Sequence, residues 1–290
     1  MGLRDITRTG FLRLPPSTRR AVLGALGRRG PWDPRFDRHA PGAGPGLVTG
    51  PPDFVGVGVQ KAGTTWWYSL LALHPDVYDH VAFHKERHFF SPFWAGGFGP
   101  GDVAEYHRWF PRPPGQLTGE WTPDYLHQHW VAPLLRRSAP EARIMVLLRD
   151  PVDRYRSGLA HHLEHGERIT PLIASDAFVR GLYADALGRL EVLYGADRVL
   201  VLQYEAYRDA PAARLAETLR FLGLDDTWQP PDLRSRVNPT RVPKVDLDEG
   251  ECRHLAELYA DDVARLGQRY PHLDLDRWPS AMKGQAVGGL

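Results

Sequence analysis

Val55 to Trp67 reads VGVGVQKAGTTWW, a short β-branched run that passes straight into Lys61-Ala62-Gly63-Thr64-Thr65 and then opens an amphipathic helix. A glycine-containing turn at a helix N-terminus presents unpaired backbone N–H groups and the positive end of the helix dipole. Lys61 adds a full charge there, and Thr64 and Thr65 add hydroxyl donors. The pattern predicts a strand–loop–helix cradle for an anionic ligand, and with it an α/β fold.

The loop departs from the nucleoside-triphosphate version, G-x-x-x-x-G-K-[ST], in which Lys follows a Gly and a hydroxyl reaches Mg²⁺. Here Gln60 precedes Lys61, the glycine comes two residues after it, and Trp66 follows the paired threonines. A second stretch, Arg143 to Ser157 (RIMVLLRDPVDRYRS), is an apolar strand ending in Arg149-Asp150-Pro151, with a helix expected from near Asp153 that carries Ser157. A guanidinium fork at a strand end and a hydroxyl in the first turns of a helix together suit a phosphate group. A third stretch, Lys85-Glu86-Arg87-His88-Phe89-Phe90, sets a carboxylate among three basic side chains ahead of an apolar pair. If those charges face the same way in the fold, they favour the ionised carboxylate.

In the order K-x-G-T-T-W, E-x-H-F-F and R-x₇-S along the chain, and in their spacing, these stretches resemble the motifs of sulfotransferases that use 3′-phosphoadenosine 5′-phosphosulfate (PAPS), nearest the heparan-sulfate-type branch. The resemblance covers about residues 53–280 and implies a single-domain α/β fold with a central parallel sheet flanked by helices. It further implies that Lys61, Ala62, Gly63, Thr64 and Thr65 bind the 5′-phosphosulfate and that Trp66 packs near the adenine. Arg149 and Ser157 would then hold the 3′-phosphate. Tyr204 resembles the family's tyrosine near the nucleotide, with a strand-end tyrosine in the core as the other reading. Arg241 and Lys244 are candidates for a basic C-terminal loop that closes over the nucleotide. Glu86 would serve as general base and His88 would orient the acceptor or share the proton.

On the acceptor side, Lys85 and Trp121 are the candidates. Glu120-Trp121-Thr122-Pro123 puts a Trp where heparan-sulfate-type members carry a Lys in E-K-[ST]-P. Trp121 either lines the cleft, favouring a neutral or hydrophobic acceptor, or turns into the core. A related nucleotide-dependent kinase and a non-catalytic nucleotide-binding protein stay open as rival readings. The first would need a Mg²⁺-binding hydroxyl and carboxylate.

Composition sets the frame around these motifs. The 290 residues, 42% hydrophobic and 24% charged, suffice for one well-buried domain. A net charge of +1 argues against a nucleic-acid partner. Only four lysines stand against thirty-two arginines, yet Lys61 and Lys85 both fall in the proposed site. The single Cys252 fits a reducing, cytoplasmic compartment. No apolar run approaches the ~20 residues of a membrane span. His161, His162 and His165 share one expected helix, but no Cys or carboxylate with ligand spacing completes a set, so no metal is expected.

Residues 1–50 carry nine arginines and no lysine before a Pro/Gly-rich connector, Pro41 to Pro52. They read as an N-terminal extension, with Arg4, Arg8, Arg19 and Arg20 able to form a basic face for a membrane surface or partner. Residues 51–290 read as the domain proper. Apolar strands are expected at Phe54–Val59, Ile144–Leu148 and Val199–Leu202. Helices are expected near Thr64–Leu73, His127–Arg137, Asp153–His165, Asp176–Leu193, Ala210–Leu222 and Glu249–Gln268. Ligands of such folds bind at the carboxyl ends of the strands, where Lys61 and Arg149 lie.

Overall fold

A computed structural model of the chain describes residues 33, 36, 38–79, 85–234, 243–278 and 280. Arg241 and the Arg4, Arg8, Arg19 and Arg20 face lie outside the described residues. The strands are β1 (Val48–Thr49), β2 (Phe54–Gly58), β3 (Pro111–Arg112), β4 (Gly119–Trp121), β5 (Arg143–Leu148) and β6 (Val199–Gln203). The α-helices are α1 (Thr64–Leu71), α2 (Pro100–Arg108), α3 (Val131–Ser138), α4 (Pro151–Glu164), α5 (Pro171–Val179), α6 (Ala184–Tyr194), α7 (Tyr204–Asp209), α8 (Pro211–Leu222) and α9 (Glu249–Arg269).

The central sheet is parallel, in the order β4-β2-β5-β6. Its strands are short apolar runs, and every residue of β2 is buried, as strands covered by helices on both faces require. The chain leaves β2 for β4 on one side and then returns past β2 to β5 on the other. The carboxyl end of β2 is therefore the topological switch point, the position where open α/β sheets leave a crevice for ligands.

Strands β2, β5 and β6 answer to the three apolar runs of the sequence. The three residues of β4 are too short for a periodic signal and join the sheet by pairing with β2, Gly56 opposite Trp121. A Cβ on Gly56 would come within 2.0 Å of the Trp121 ring, so the indole occupies the space that this glycine leaves over β2. The expected helix Asp176–Leu193 is two helices. The chain turns at Arg180-Gly181, and the carboxylate of Asp262 accepts from the N–H groups of Tyr183 at 2.7 Å and Ala184 at 3.2 Å, capping α6 from α9. Helix α4 starts earlier than expected, with Pro151 at its first position and Asp150 as N-cap, accepting from the Asp153 N–H at 2.9 Å.

The connector before residue 50 is docked to the domain. Strand β1 pairs antiparallel with β3, and the Trp109 indole donates to the Arg38 carbonyl at 2.7 Å. The Arg38 guanidinium lies 4.1 Å from the Phe93 ring centroid, within reach of a cation–π interaction. No described helix is long and apolar enough to cross a membrane.

Candidate functional site

The loop after β2 turns on two left-handed residues, Lys61 (φ 71°) and Gly63 (φ 84°). Glycine adopts that conformation without penalty, whereas Lys61 is held in it by its surroundings. A Cβ at Gly63 would meet the Tyr204 ring at 2.9 Å, so Tyr204, at the end of β6, closes one wall of the loop. Ala62 and Thr64 are buried, while Thr65 and Trp66 are half-buried. The Trp66 indole donates to the Leu233 carbonyl at 3.1 Å. Burial pushes the Lys61 ammonium below its ordinary pKa; the Glu164 charge opposes that shift and Arg149 adds to it.

Arg149 leaves the end of β5 and ties this loop to α4. Its guanidinium donates to the Lys61 carbonyl at 2.6 Å and to Asp153 at 2.8 Å, and its Cζ lies 5.1 Å from the Tyr204 ring centroid. Its own carbonyl accepts from the Tyr183 hydroxyl at 2.9 Å. Ser157 is buried two turns along α4. Lys244 reaches the same helix from the far end of the chain, with its ammonium 2.7 Å from Asp153. Lys61, Gly63, Thr64, Arg149, Tyr204 and Lys244 therefore meet around the amino ends of α1 and α4.

The second half of the site runs along the outer edge of β4. The Trp121 N–H donates to the Lys85 carbonyl at 2.9 Å, and the Arg87 N–H donates to the Thr122 hydroxyl at 3.0 Å and to Glu120 at 3.2 Å. Glu120 is fully buried and also accepts from the Tyr106 hydroxyl at 2.7 Å and the Thr122 hydroxyl at 2.6 Å. Burial pushes this carboxyl up, and the bonds from Thr122 and Tyr106 pull against it. Such a satisfied buried network fixes the Lys85–His88 segment against the sheet.

Glu86 projects from that segment with 39% of its side chain exposed. Its carboxylate lies 2.6 Å from the Lys85 ammonium and 3.4 Å from His88 Nε2. Burial alone would raise its pKa, but hydrogen bonds from His88 and Lys85, with the Lys85 charge, outweigh it and hold the carboxyl below its ordinary value. Burial pushes the Lys85 ammonium down against the opposing charge of Glu86. The His88 ring also faces Asp124 at 3.9 Å, and Asp124 is held by Arg180 at 2.5 Å.

Trp121 is not part of the acceptor surface. It is wholly buried, and its indole N–H donates to the Gly58 carbonyl at 3.0 Å. Its strand is covered on both faces, so a large apolar ring there is driven into a layer of core, and only the Trp121 backbone carbonyl turns to the site, 3.3 Å from the Lys85 ammonium. A neutral acceptor surface built on that ring is therefore withdrawn.

The sequence reading passed over Glu120, Asp124, Arg180 and Asp153. Asp153, in the first turn of α4, stands four residues after Arg149 at the end of β5, a short spacing that was legible. Glu120 and the Asp124–Arg180 pair join distant segments that no local pattern connects. The histidines at the end of α4 have local partners: His162 pairs with Glu167 at 2.8 Å, His165 bonds the His161 carbonyl at 2.7 Å, and the His161 and His165 rings lie 4.3 Å apart. Burial, with the Lys61 charge adding to it, pulls the His161 pKa down to about 4. Among the described residues, no three His, Cys, Asp or Glu lie where they could hold a metal ion.

The family described as "Sulfotransferase domain" matches residues 51–241. Bifunctional heparan sulfate N-deacetylase/N-sulfotransferase 2 of Homo sapiens is 28% identical over 256 residues, 78% of this chain and 27% of that protein. Heparan sulfate glucosamine 3-O-sulfotransferase 6 of Homo sapiens is 31% identical over 215 residues, 66% of this chain and 60% of that protein. The chain thus spans less than two thirds of the length of either relative. A crystal structure of a sulfotransferase from Alicyclobacillus acidocaldarius superposes with a TM-score of 0.62 at 26% identity, over 78% of this chain and 98% of that one. Sulfotransferase STF9 from Mycobacterium avium, at 14% identity and a TM-score of 0.50, shares the fold.

Proposed function

The chain belongs to the sulfotransferase family, and we propose that it moves the sulfuryl group of PAPS to a hydroxyl or amine of a small-molecule, sugar or glycolipid acceptor. The observation that carries this reading is the bond from Arg149 to the Lys61 carbonyl. It joins the loop suited to a 5′-phosphosulfate to the guanidinium suited to a 3′-phosphate, so one nucleotide bearing both groups spans them. Two relatives named for heparan sulfate favour a sugar acceptor. The single cysteine fits a cytoplasmic setting.

In this scheme Lys61, the Ala62–Thr65 amides and the Thr64 and Thr65 hydroxyls grip the 5′-phosphosulfate. Trp66 packs beside the adenine, and Arg149, Ser157 and Lys244 hold the 3′-phosphate while Tyr204 walls the loop. Glu86 takes the acceptor proton as the acceptor's oxygen or nitrogen bonds to sulfur. The bond between sulfur and the phosphate oxygen breaks, and adenosine 3′,5′-bisphosphate leaves with the electron pair. Lys61 stabilises the charge that builds on that oxygen. A carboxylate held below its ordinary pKa is ionised at neutral pH, the state a base requires. Lys85 and His88 hold Glu86 and orient the acceptor.

Calorimetric titration with adenosine 3′,5′-bisphosphate beside ATP tests the donor reading, since only a PAPS site demands the 3′-phosphate. Tighter binding of the bisphosphate is expected. Preference for ATP with dependence on Mg²⁺ would replace it with a kinase.

A further inference from the structure

Asp153 sits where the two cations assigned to the 3′-phosphate meet. Its carboxylate accepts from Arg149 Nη2 at 2.8 Å and from the Lys244 ammonium at 2.8 and 2.7 Å. It lies in the first turn of α4, where the helix dipole favours an anion. Lys244 is brought there by its neighbour Val245, whose carbonyl accepts from the Arg156 side-chain Nε at 2.8 Å and whose N–H donates to the Arg156 carbonyl at 3.3 Å. The other arm of Arg149, Nη1, is committed to the Lys61 carbonyl. Nη2 and the Lys244 ammonium, both turned to Asp153, are therefore donors that an incoming phosphate shares with this carboxylate or takes from it.

We infer that Asp153 is an internal anion that pairs with the cations of the 3′-phosphate site, competes with the nucleotide's 3′-phosphate for them, and so limits affinity for the product nucleotide. This rests on the donor site proposed above. A phosphate oxygen replaces ion pairs that already exist, so its net gain is the difference between two anions and not the full strength of either pair. The displaced carboxylate then stays beside a phosphate and repels it. On departure the carboxylate reclaims both cations, which speeds release. A nucleotide with a 3′-hydroxyl has no anion to set against Asp153 and leaves the cluster intact. The charges of Arg149 and Lys244 outweigh burial and hold the Asp153 carboxyl below its ordinary pKa, so it is an anion at neutral pH.

The test is titration calorimetry and stopped-flow release on the full chain with adenosine 3′,5′-bisphosphate and adenosine 5′-phosphate. Asp153→Asn should bind the bisphosphate roughly five- to tenfold tighter, the scale of one partly exposed charge interaction, and release it more slowly by the same factor. Binding of the 5′-phosphate should change less than about twofold. Asp153→Ser, which removes both the carboxylate and its shape, should tighten binding in the same direction and guards against an effect of misfolding in either variant. Lys244→Met should weaken the bisphosphate more in the Asp153→Asn background than in the wild type, because there Lys244 is not shared. Unchanged or weaker bisphosphate binding in both Asp153 variants would overturn the inference and make Asp153 an organiser of the cations. A wild type with no preference for the bisphosphate over the 5′-phosphate would instead remove the donor site itself.

Discussion

Replacing Arg149 with alanine should separate the reading of the 3′-phosphate from the support of the loop. Arg149 is 9% exposed, so its hydrogen bonds are little weakened by solvent. One arm faces the proposed 3′-phosphate position through Asp153 and the other holds the Lys61 carbonyl. Loss of a charge-assisted contact to phosphate costs about 2 kcal/mol, or roughly 30-fold in affinity for adenosine 3′,5′-bisphosphate. The bond to the Lys61 carbonyl holds the loop itself. Its loss loosens the loop for any 5′-phosphate, and should weaken adenosine 5′-phosphate by less than about 1 kcal/mol, roughly fivefold. Calorimetry of both ligands against both proteins gives the difference directly, and thermal unfolding of the variant reports whether the loop anchor also supports the fold. Equal losses for the two nucleotides would refute the reasoning and leave Arg149 a structural tie between β5, α4 and the loop.

Glu86→Gln should preserve affinity for adenosine 3′,5′-bisphosphate and lower turnover by roughly 10²-fold or more; near-normal turnover removes Glu86 as the base. Lys85→Met takes away a cation 2.6 Å from Glu86, so the carboxyl should be protonated at higher pH and the acid limb of kcat/KM should move up; an unmoved limb would mean that another group sets it. Trp121→Ala should destabilise the fold by roughly 3–5 kcal/mol through the cavity left over Gly56, read as a large fall in Tm. A raised acceptor KM with unchanged Tm would put the ring back in the cleft.

The half of the candidate site proposed to bind the donor's anionic groups was legible in the sequence because it is built locally. A strand, a glycine turn and a helix start are consecutive in the chain, so Lys61, Gly63 and Thr64 carry their geometry with them. The same holds for Arg149, just past the end of β5, and Ser157 on α4. Continuous apolar runs at β2, β5 and β6 announced a parallel sheet covered on both faces, because a strand buried on two sides has no polar alternation to show.

What local pattern could not carry is whatever depends on a partner far along the chain. The strand β4 exists because β2 pairs with it, and its three residues hold no periodicity of their own. Helices α5 and α6 part where Asp262, 79 residues beyond Tyr183, supplies a cap. The side of the strand to which Trp121 points was undecided by its motif and was settled by the space over Gly56. The anchoring of Lys85, Glu86 and His88 by Glu120, and the pairing of Lys244 with Asp153 across 91 residues, are likewise tertiary. Residue types and short spacings state which chemistry is available; the distances, burial and charges that decide which groups meet arise only when distant segments pack.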